Sequence, residues 1–302
     1  MQAMDWGDLP FFLAVARHGT LARAAKALRT DPTTAGRRVQ KLERALGARL
    51  FEHSPGGHVL TAAGERLLAK ARAMDRLAAE AQAAGGAGAG ASPLTGTVRL
   101  SVAEGLGSWF VARRIGAFSD AHPAVTVDLV ANSGFLNPTR RETDLAVLLA
   151  RPRKGPLVTV RLTDYSLGLY AARAYLERSG EVRRAEELTR HRLVGYVPDI
   201  VYAPELRYLD EIPHAGTAAL RSSSINAQHQ MIAAGAGIGV LPHFIAGMDR
   251  ALVAVLPKIR ILRSFWLVTH RETAAFPQVR AMMDWLKQAV AAERDLFLPG
   301  AG

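Results

Sequence analysis

Arg37, Arg38, Lys41 and Arg44 occupy one eight-residue stretch of a segment already rich in positive charge. Between positions 17 and 49 there are nine basic residues (Arg17, Arg23, Lys26, Arg29, Arg37, Arg38, Lys41, Arg44 and Arg49) against two acids, Asp31 and Glu43, for a local net charge of +7. Guanidinium and ammonium groups at that density suit a polyanionic backbone such as nucleic-acid phosphate. The whole 302-residue chain carries +11, but the surplus is spread: residues 1–91 hold +5 and the remainder +6. The local cluster therefore carries the argument, and the total does not. A charge run alone equally describes two solvated helices, so the elements that present it must decide.

Those elements are legible. Thr20 is placed to cap a short helix whose apolar residues, Leu21, Ala24, Ala25 and Leu28, recur at helical spacing. Arg29 and Thr30 break it. Asp31-Pro32 then opens a second helix, because a carboxylate satisfies free amides there and proline has no N–H to waste. Val39, Leu42 and Leu46 give this helix an inward stripe, the basic residues lie off it, and Gly47 stops it. The pattern is a helix-turn-helix, braced by an apolar helix over 9–17 in which Phe11, Phe12 and Val15 are core candidates. Short strands at 49–51 and 58–60 around Ser54-Pro55-Gly56-Gly57 predict a β-wing. Thr61 caps a longer helix to about residue 84. Leu67, Ala71, Met74, Ala78 and Ala81 form a heptad-like seam along it, which predicts dimerisation. The glycine- and alanine-rich 85–92 stretch reads as a flexible linker.

From residue 97 the pattern alternates strands (98–104, 125–131, 144–150, one or two with a change of direction over 157–172, then 192–197, 218–222, 237–242, 263–270) with helices (109–121, 173–191, 226–234, 276–293). Such alternation predicts a mainly parallel α/β sheet with ligands beyond the strand ends. About 200 residues suit two lobes around a cleft. The chain has no cysteine, hence no disulfide and no thiolate chemistry. It has no Gly-x-Ser-x-Gly elbow, His-Glu-x-x-His pair or P-loop, so an enzyme is disfavoured. Gly235, Gly237 and Gly239 precede a strand, whereas a dinucleotide fingerprint follows one. The nine histidines are scattered, and neither a metal site nor a cofactor is expected. No apolar run reaches membrane-spanning length and the start lacks a basic leader, so a cytoplasmic protein without membrane association is expected.

The run FFLAVARHGTLARAAKALRTDPTTAGRRVQKLERALGARLFEH, followed by LTAAG, resembles the LysR-type transcriptional regulators. FSDAHPAV (118–125), DLAV (144–147) and AGAGIGVLP (234–242) extend the resemblance over nearly the whole chain. It implies a multidomain protein. Residues 1–62 would be an N-terminal, mainly α winged helix-turn-helix, and 63–92 a long linker helix and hinge. Residues 93–302 would be a C-terminal two-lobed α/β domain of the type 2 periplasmic-binding-protein-like kind, with lobe I at 93–162 and 264–295 and lobe II at 163–263. Its implied partners are double-stranded promoter DNA, a small organic effector, a second copy joined through the linker helix, a tetramer, and RNA polymerase. The implied DNA-binding positions are Thr20, Pro32, Thr33, Thr34, Gly36, Arg37, Arg38, Lys41 and the wing residue His53, with His58 nearby. Arg37 is the first choice for a base edge, because arginine pairs in bidentate fashion with guanine. Arg38 and Lys41 are expected on phosphates. The frequent Gln and Ser of the recognition helix are here Pro32 and Gly36, and His53 and Gly56 stand where wing arginines are common. The implied effector cleft gathers Ser101, Val102, Ala103, Glu104 and Gly105; Asn132, Ser133 and Gly134; Tyr196, Val197 and Pro198; and Ser223, Ser224 and Asn226. Free amides at a helix start favour an anionic effector there. A solute-binding module without regulation and a nonspecific DNA binder are the competing readings.

Overall fold

The computed structural model describes residues 4–54, 57–85, 94–132, 143–152 and 155–300, and divides into two compact units, Met1–Ser92 and Pro93–Gly302. Ser133, Gly134, the Pro55-Gly56 tip and the linker over 86–92 lie outside the described residues, as do the side chains of Asn132 and Ala81.

In the first unit, α1 (Leu9–His18), α2 (Leu21–Ala27) and α3 (Pro32–Leu46) pack around Leu9, Phe12, Val15, Ala24, Val39 and Leu42. Gly19 ends α1 in the left-handed region, at φ 72°, where a side chain would be strained. The wing strands β1 (Phe51–Ser54) and β2 (Gly57–Leu60) pair antiparallel, with His53 opposite His58. Gly57 adopts φ +127°, and a Cβ there would meet the Gly19 carbonyl oxygen at 2.3 Å. The His58 amide donates to that same oxygen at 2.7 Å, so the hairpin docks directly on the end of α1. Glu43 fastens the other side, accepting from the Leu50 and Phe51 amides at 2.7 and 3.3 Å.

Two stripe assignments change. Leu46 is 40% exposed, and Ala35 joins the core instead, one turn before Val39 on the same face as Val39 and Leu42. On α4 (Ala62–Gly85), Ala71 is fully buried in its own unit's core, with Leu67 and Met74 packed beside it. The expected dimerisation seam is therefore corrected at Ala71, which has no surface left for a second copy; Ala78 is exposed.

The second unit holds a nine-stranded sheet: β3 (Gly96–Ala103), β4 (Val125–Asn132), β5 (Leu145–Leu148), β6 (Leu157–Ala172), β7 (Leu193–Tyr196), β8 (Leu220–Ser222), β9 (Ile238–Pro242), β10 (Leu252–Val255) and β11 (Ile261–His270). Their spatial order is β4-β3-β5-β11-β6-β9-β7-β8, with β10 also on β6. The expectation of a mainly parallel sheet is overturned at its centre. β4-β3-β5 and β8-β7-β9 are parallel trios, but β6 and β11 run antiparallel to each other, β11 also to β5 of the first trio and β6 also to β9 of the second. These long strands cross from one lobe to the other, and the register of their ladder shifts between Phe265 and Trp266. The stretch over 157–172 is one continuous strand.

The helices of this unit are α5 (Glu104–Leu106), α6 (Ile115–Ala121), α7 (Arg173–Ser179), α8 (Ile225–Ala233), α9 (His243–Ala246), α10 (Pro277–Ala292) and α11 (Arg294–Phe297). The helix expected over 109–121 starts earlier and is interrupted: a π turn over Gly107–Val111 follows α5, and α6 resumes after Arg114. Gly107 permits this, because a Cβ would lie 2.4 Å from that of Ala131 on β4. The helix expected over 173–191 is α7 followed by a 3₁₀ turn, Ala185–Arg190. Among the described residues no helix is long and apolar enough to cross a membrane.

Candidate nucleic-acid interface and effector cleft

The start of α3 is shaped by its cap. Asp31 is extended, at ψ 154°, and its Oδ1 accepts from the Thr34 amide at 2.8 Å. The Thr34 hydrogen bonds hold the Asp31 carboxyl below its usual range. Pro32 and Thr33 are exposed on the first turn and Thr34 is half-buried. Thr20 caps α2, its Oγ1 accepting from the Arg23 amide at 3.3 Å. Removing that acceptor in Thr20→Ala is expected to cost about 1 kcal/mol. Urea unfolding would read the loss, and Thr20→Ser would restore the cap.

The basic residues of α3 do not form one equivalent group. Arg37 is exposed and makes no hydrogen bond or ion pair with another described residue. Arg38 instead reaches back to the start of the chain, donating to Asp8 Oδ1 at 2.9 Å and standing 5.7 Å from the centre of the Phe11 ring. Lys41 donates to Asp5 Oδ2 at 2.7 Å and lies 3.5 Å from Asp8 Oδ2. The Lys41 hydrogen bond lowers the Asp5 pKa and the same bond raises that of Lys41. Both cations are thus already compensated inside the domain. Gly36 faces α2: a Cβ there would touch Leu21 Cδ1 at 3.3 Å. On the wing the rings of His53 and His58 meet edge-on, 4.4 Å apart. Partial burial, then the neighbouring His53, lower the His58 pKa.

In the second unit the ends of β3 and the start of α8 come together. Ser224 caps α8, its Oγ accepting from the Ala227 amide at 3.1 Å. The same hydroxyl donates to Glu104 Oε1 at 2.7 Å. The Ile225 amide donates to Glu104 Oε2 at 3.1 Å, and Asn226 Nδ2 donates to Oε1 at 3.2 Å. Trp109 Nε1 completes the link, donating to Asn226 Oδ1 at 2.7 Å. Ala103, Glu104, Gly105, Tyr196 and Ser223 line one recess here. Ser101 and Val102 do not: both are fully buried within β3, one turn of the pleat too early to face it. Val197 and Pro198 also lie off this lining.

Sequence reasoning missed the aromatic floor. Tyr165 and Phe265 stack at 4.1 Å where β6 and β11 cross between lobes, and Tyr202 and Tyr208 enter from the irregular stretch after β7. These side chains leave a cavity of about 30 Å³, room for a water or two and far below the size of an organic ligand site. Burial, and for Tyr202 next the Glu104 charge, pushes the pKa of Tyr196 and Tyr202 up, which keeps both hydroxyls protonated. A larger recess of about 470 Å³ opens behind Tyr196 and Tyr208, lined also by Arg207, Asp210, Arg221 and Gln228.

His229 and His243 contribute to a pH dependence that they share with His58 and His191, whose pKa values burial also lowers. His229 packs against Trp109 with ring centres 4.6 Å apart, and its Nε2 lies 3.2 Å from Asp249, at ion-pair distance without hydrogen-bond geometry. His243 Nδ1 lies 3.1 Å from Ser166 Oγ. Burial lowers the pKa of both rings. The unfolded chain, whose imidazoles titrate near 6.5, then binds protons more readily than the folded one. Stability from these groups is full above about pH 6.5 and is lost as pH falls from there through their lower folded values. The melting temperature is expected to drop between pH 7 and 5, and a His229→Gln/His243→Gln double variant to show a shallower drop.

Comparison with known proteins places both units. A family model described as LysR substrate binding domain matches residues 91–291. A second, described as bacterial regulatory helix-turn-helix protein, lysR family, matches residues 6–65. The Mau operon transcriptional activator of Paracoccus denitrificans is 27% identical over 292 residues, covering 93% of this chain and 95% of that protein. The HTH-type transcriptional regulator PtxR of Pseudomonas aeruginosa is 24% identical, covering 96% and 94%. Among solved structures, CrgA of Neisseria meningitidis, a LysR-type transcriptional regulator, aligns with a TM-score of 0.58 at 22% identity, covering 93% and 97%. Full-length CbnR in complex with its target DNA aligns at 0.59 and 20% identity, covering 95% and 100%.

Proposed function

Since this chain belongs to the LysR family of bacterial transcriptional regulators, we propose that it binds promoter DNA in a sequence-specific way and adjusts that binding to a small-molecule effector. The observation that carries the reading is α3: its start is capped by Asp31, its first turn is exposed, and Arg37 stands beside that turn with no described partner. In this assignment Pro32, Thr33, Thr34 and Arg37 meet base edges in the major groove, and the wing at His53 lies against the backbone. Arg38 and Lys41 divide their charge between the domain's own carboxylates and nearby phosphates. CbnR, a neighbour in fold, was solved with its target DNA.

Two copies joined along the side of α4 that carries the exposed Ala78 give a dimer that spans two half-sites one helical turn apart or a multiple of it. Pairing of dimers into a tetramer, and contact with RNA polymerase, extend the same reading. The effector acts at the cleft between the lobes, where β6 and β11 cross, and shifts the chain between states of different ligand affinity.

A genomic pull-down with the purified protein at physiological salt, with and without metabolite extract, tests the reading. Sharp palindromic sites whose footprint changes with extract are expected. Diffuse, salt-sensitive binding without a motif would overturn specificity and leave only electrostatic affinity.

A further inference from the structure

Accepting the cleft between the lobes as the regulatory site, we infer that Glu104 is a built-in ligand: a tethered carboxylate that fills the anion position at the start of α8 and bars anionic effectors from it. The start of a nine-residue helix exposes amides and a positive dipole end, which normally draw an anion from solution. Here the donors are already engaged. The Ser224 hydroxyl, the Ile225 amide and the Asn226 carboxamide all converge on the two oxygens of Glu104, at 2.7, 3.1 and 3.2 Å. The Ala227 amide is taken by Ser224 Oγ.

The carboxylate comes from the opposite lobe, 120 residues earlier in the chain. From the same π-turn region, Ser108 Oγ accepts from Asn226 Nδ2 at 3.1 Å and Trp109 Nε1 donates to Asn226 Oδ1 at 2.7 Å. The chain therefore supplies both halves of a bridge that a free carboxylate would otherwise make, and the lobes are fastened without any small molecule. Glu104 is also the one charged residue lining this cleft among the described residues. No lysine or arginine in that lining balances a second negative charge. The tyrosines around it are uncharged and offer ring faces, which suit an uncharged or cationic ligand. In place of an organic anion at the α8 amides, this cleft takes a non-anionic ligand that enters by displacing the bridge.

The test is chemical rescue in the full-length chain. Wild type, Glu104→Ala and Glu104→Gln are melted in increasing sodium acetate, with sodium chloride at equal ionic strength as the control. The wild type is expected to show no acetate effect beyond chloride. E104A is expected to melt about 3–6 °C lower and to recover in a saturable way with acetate, which takes the vacated position. E104Q keeps the shape without the charge; it is expected to melt below wild type and to stay indifferent to acetate. Saturable stabilisation of the wild type by acetate, or an E104Q melting point equal to wild type, would overturn the inference. So would a folded E104A that ignores acetate, or an E104A that fails to fold both with and without it beside a normal E104Q. DNA footprints on the same samples separate this from the proposed function. Acetate rescue with footprints that never change sinks the effector response alone. Footprints that respond to extract without acetate rescue sink the tethered ligand alone.

Discussion

Arg38→Ala is expected to lower the stability of the helix-turn-helix unit by about 2–3 kcal/mol, a far larger effect than an exposed arginine normally has. The reason is its partner. The Asp8 side chain is 1% exposed, and Arg38 supplies its close hydrogen bond at 2.9 Å. Asp8 Oδ2 has no hydrogen bond and looks only to Lys41, 3.5 Å away. Cutting the arginine back leaves a buried carboxylate compensated at ion-pair distance alone. Breaking a fully buried pair costs about 3–5 kcal/mol. The smaller figure follows because Arg38 is itself 39% exposed and Lys41 remains. Urea unfolding would measure the loss. The double variant Asp8→Asn/Arg38→Ala is expected to regain most of it, since a neutral amide tolerates the site better than an orphaned charge. A single variant as stable as wild type would show that the Asp8 clasp carries no net energy. The experiment also guards against misreading DNA-binding assays, because an Arg38 variant can lose affinity through unfolding without any lost phosphate contact.

Arg37→Ala is expected to leave stability within about 0.5 kcal/mol of wild type, as an exposed position without a described partner should. It is expected to cost about 1–3 kcal/mol of discrimination between the operator and a scrambled site, a roughly 5- to 150-fold drop in the affinity ratio. Titration of both DNAs over a range of salt gives the answer. Equal weakening on both, with a salt slope reduced by about one, would place Arg37 on a phosphate instead. Arg37→Lys sharpens the distinction. Lysine preserves the charge but not the planar pair of donors, so a base contact is lost while a phosphate contact largely survives.

The contrast between these neighbouring arginines marks the limit of what the amino-acid sequence can specify. Thr20, Asp31 and Gly47 announce the helix ends because each acts within four residues of itself: a cap accepts an amide two or three positions on, and a glycine relieves strain at its own φ. The same locality made the wing legible, since a hairpin needs only a turn and two short apolar runs. Charge density is equally local, so the basic segment was visible as a whole. The division of labour within it was not. Arg38 and Arg37 are adjacent in sequence, and only the folded position of Asp8, thirty residues earlier, separates their roles.

Tertiary structure decided the rest. A heptad-like spacing gives α4 an apolar face but not the identity of what covers it, and the domain's own core claims Ala71 first. Strand runs of similar composition gave no direction to β6 and β11; their antiparallel crossing follows from which lobe each must enter and leave, a constraint set by the whole chain. The tyrosine floor of the cleft gathers from β6, β7 and the irregular stretch beyond it, where no periodicity marks a residue as inward. Glu104 is the clearest case. Its sequence position placed it at the cleft, but its role depends on donors 120 residues away. The sequence by itself determined where the capped helices α2 and α3 begin, where charge collects and which family the chain resembles, because those properties are short-ranged. The fold decided which charges remain free and which are already answered, because burial and long-range hydrogen bonds exist only once distant segments meet.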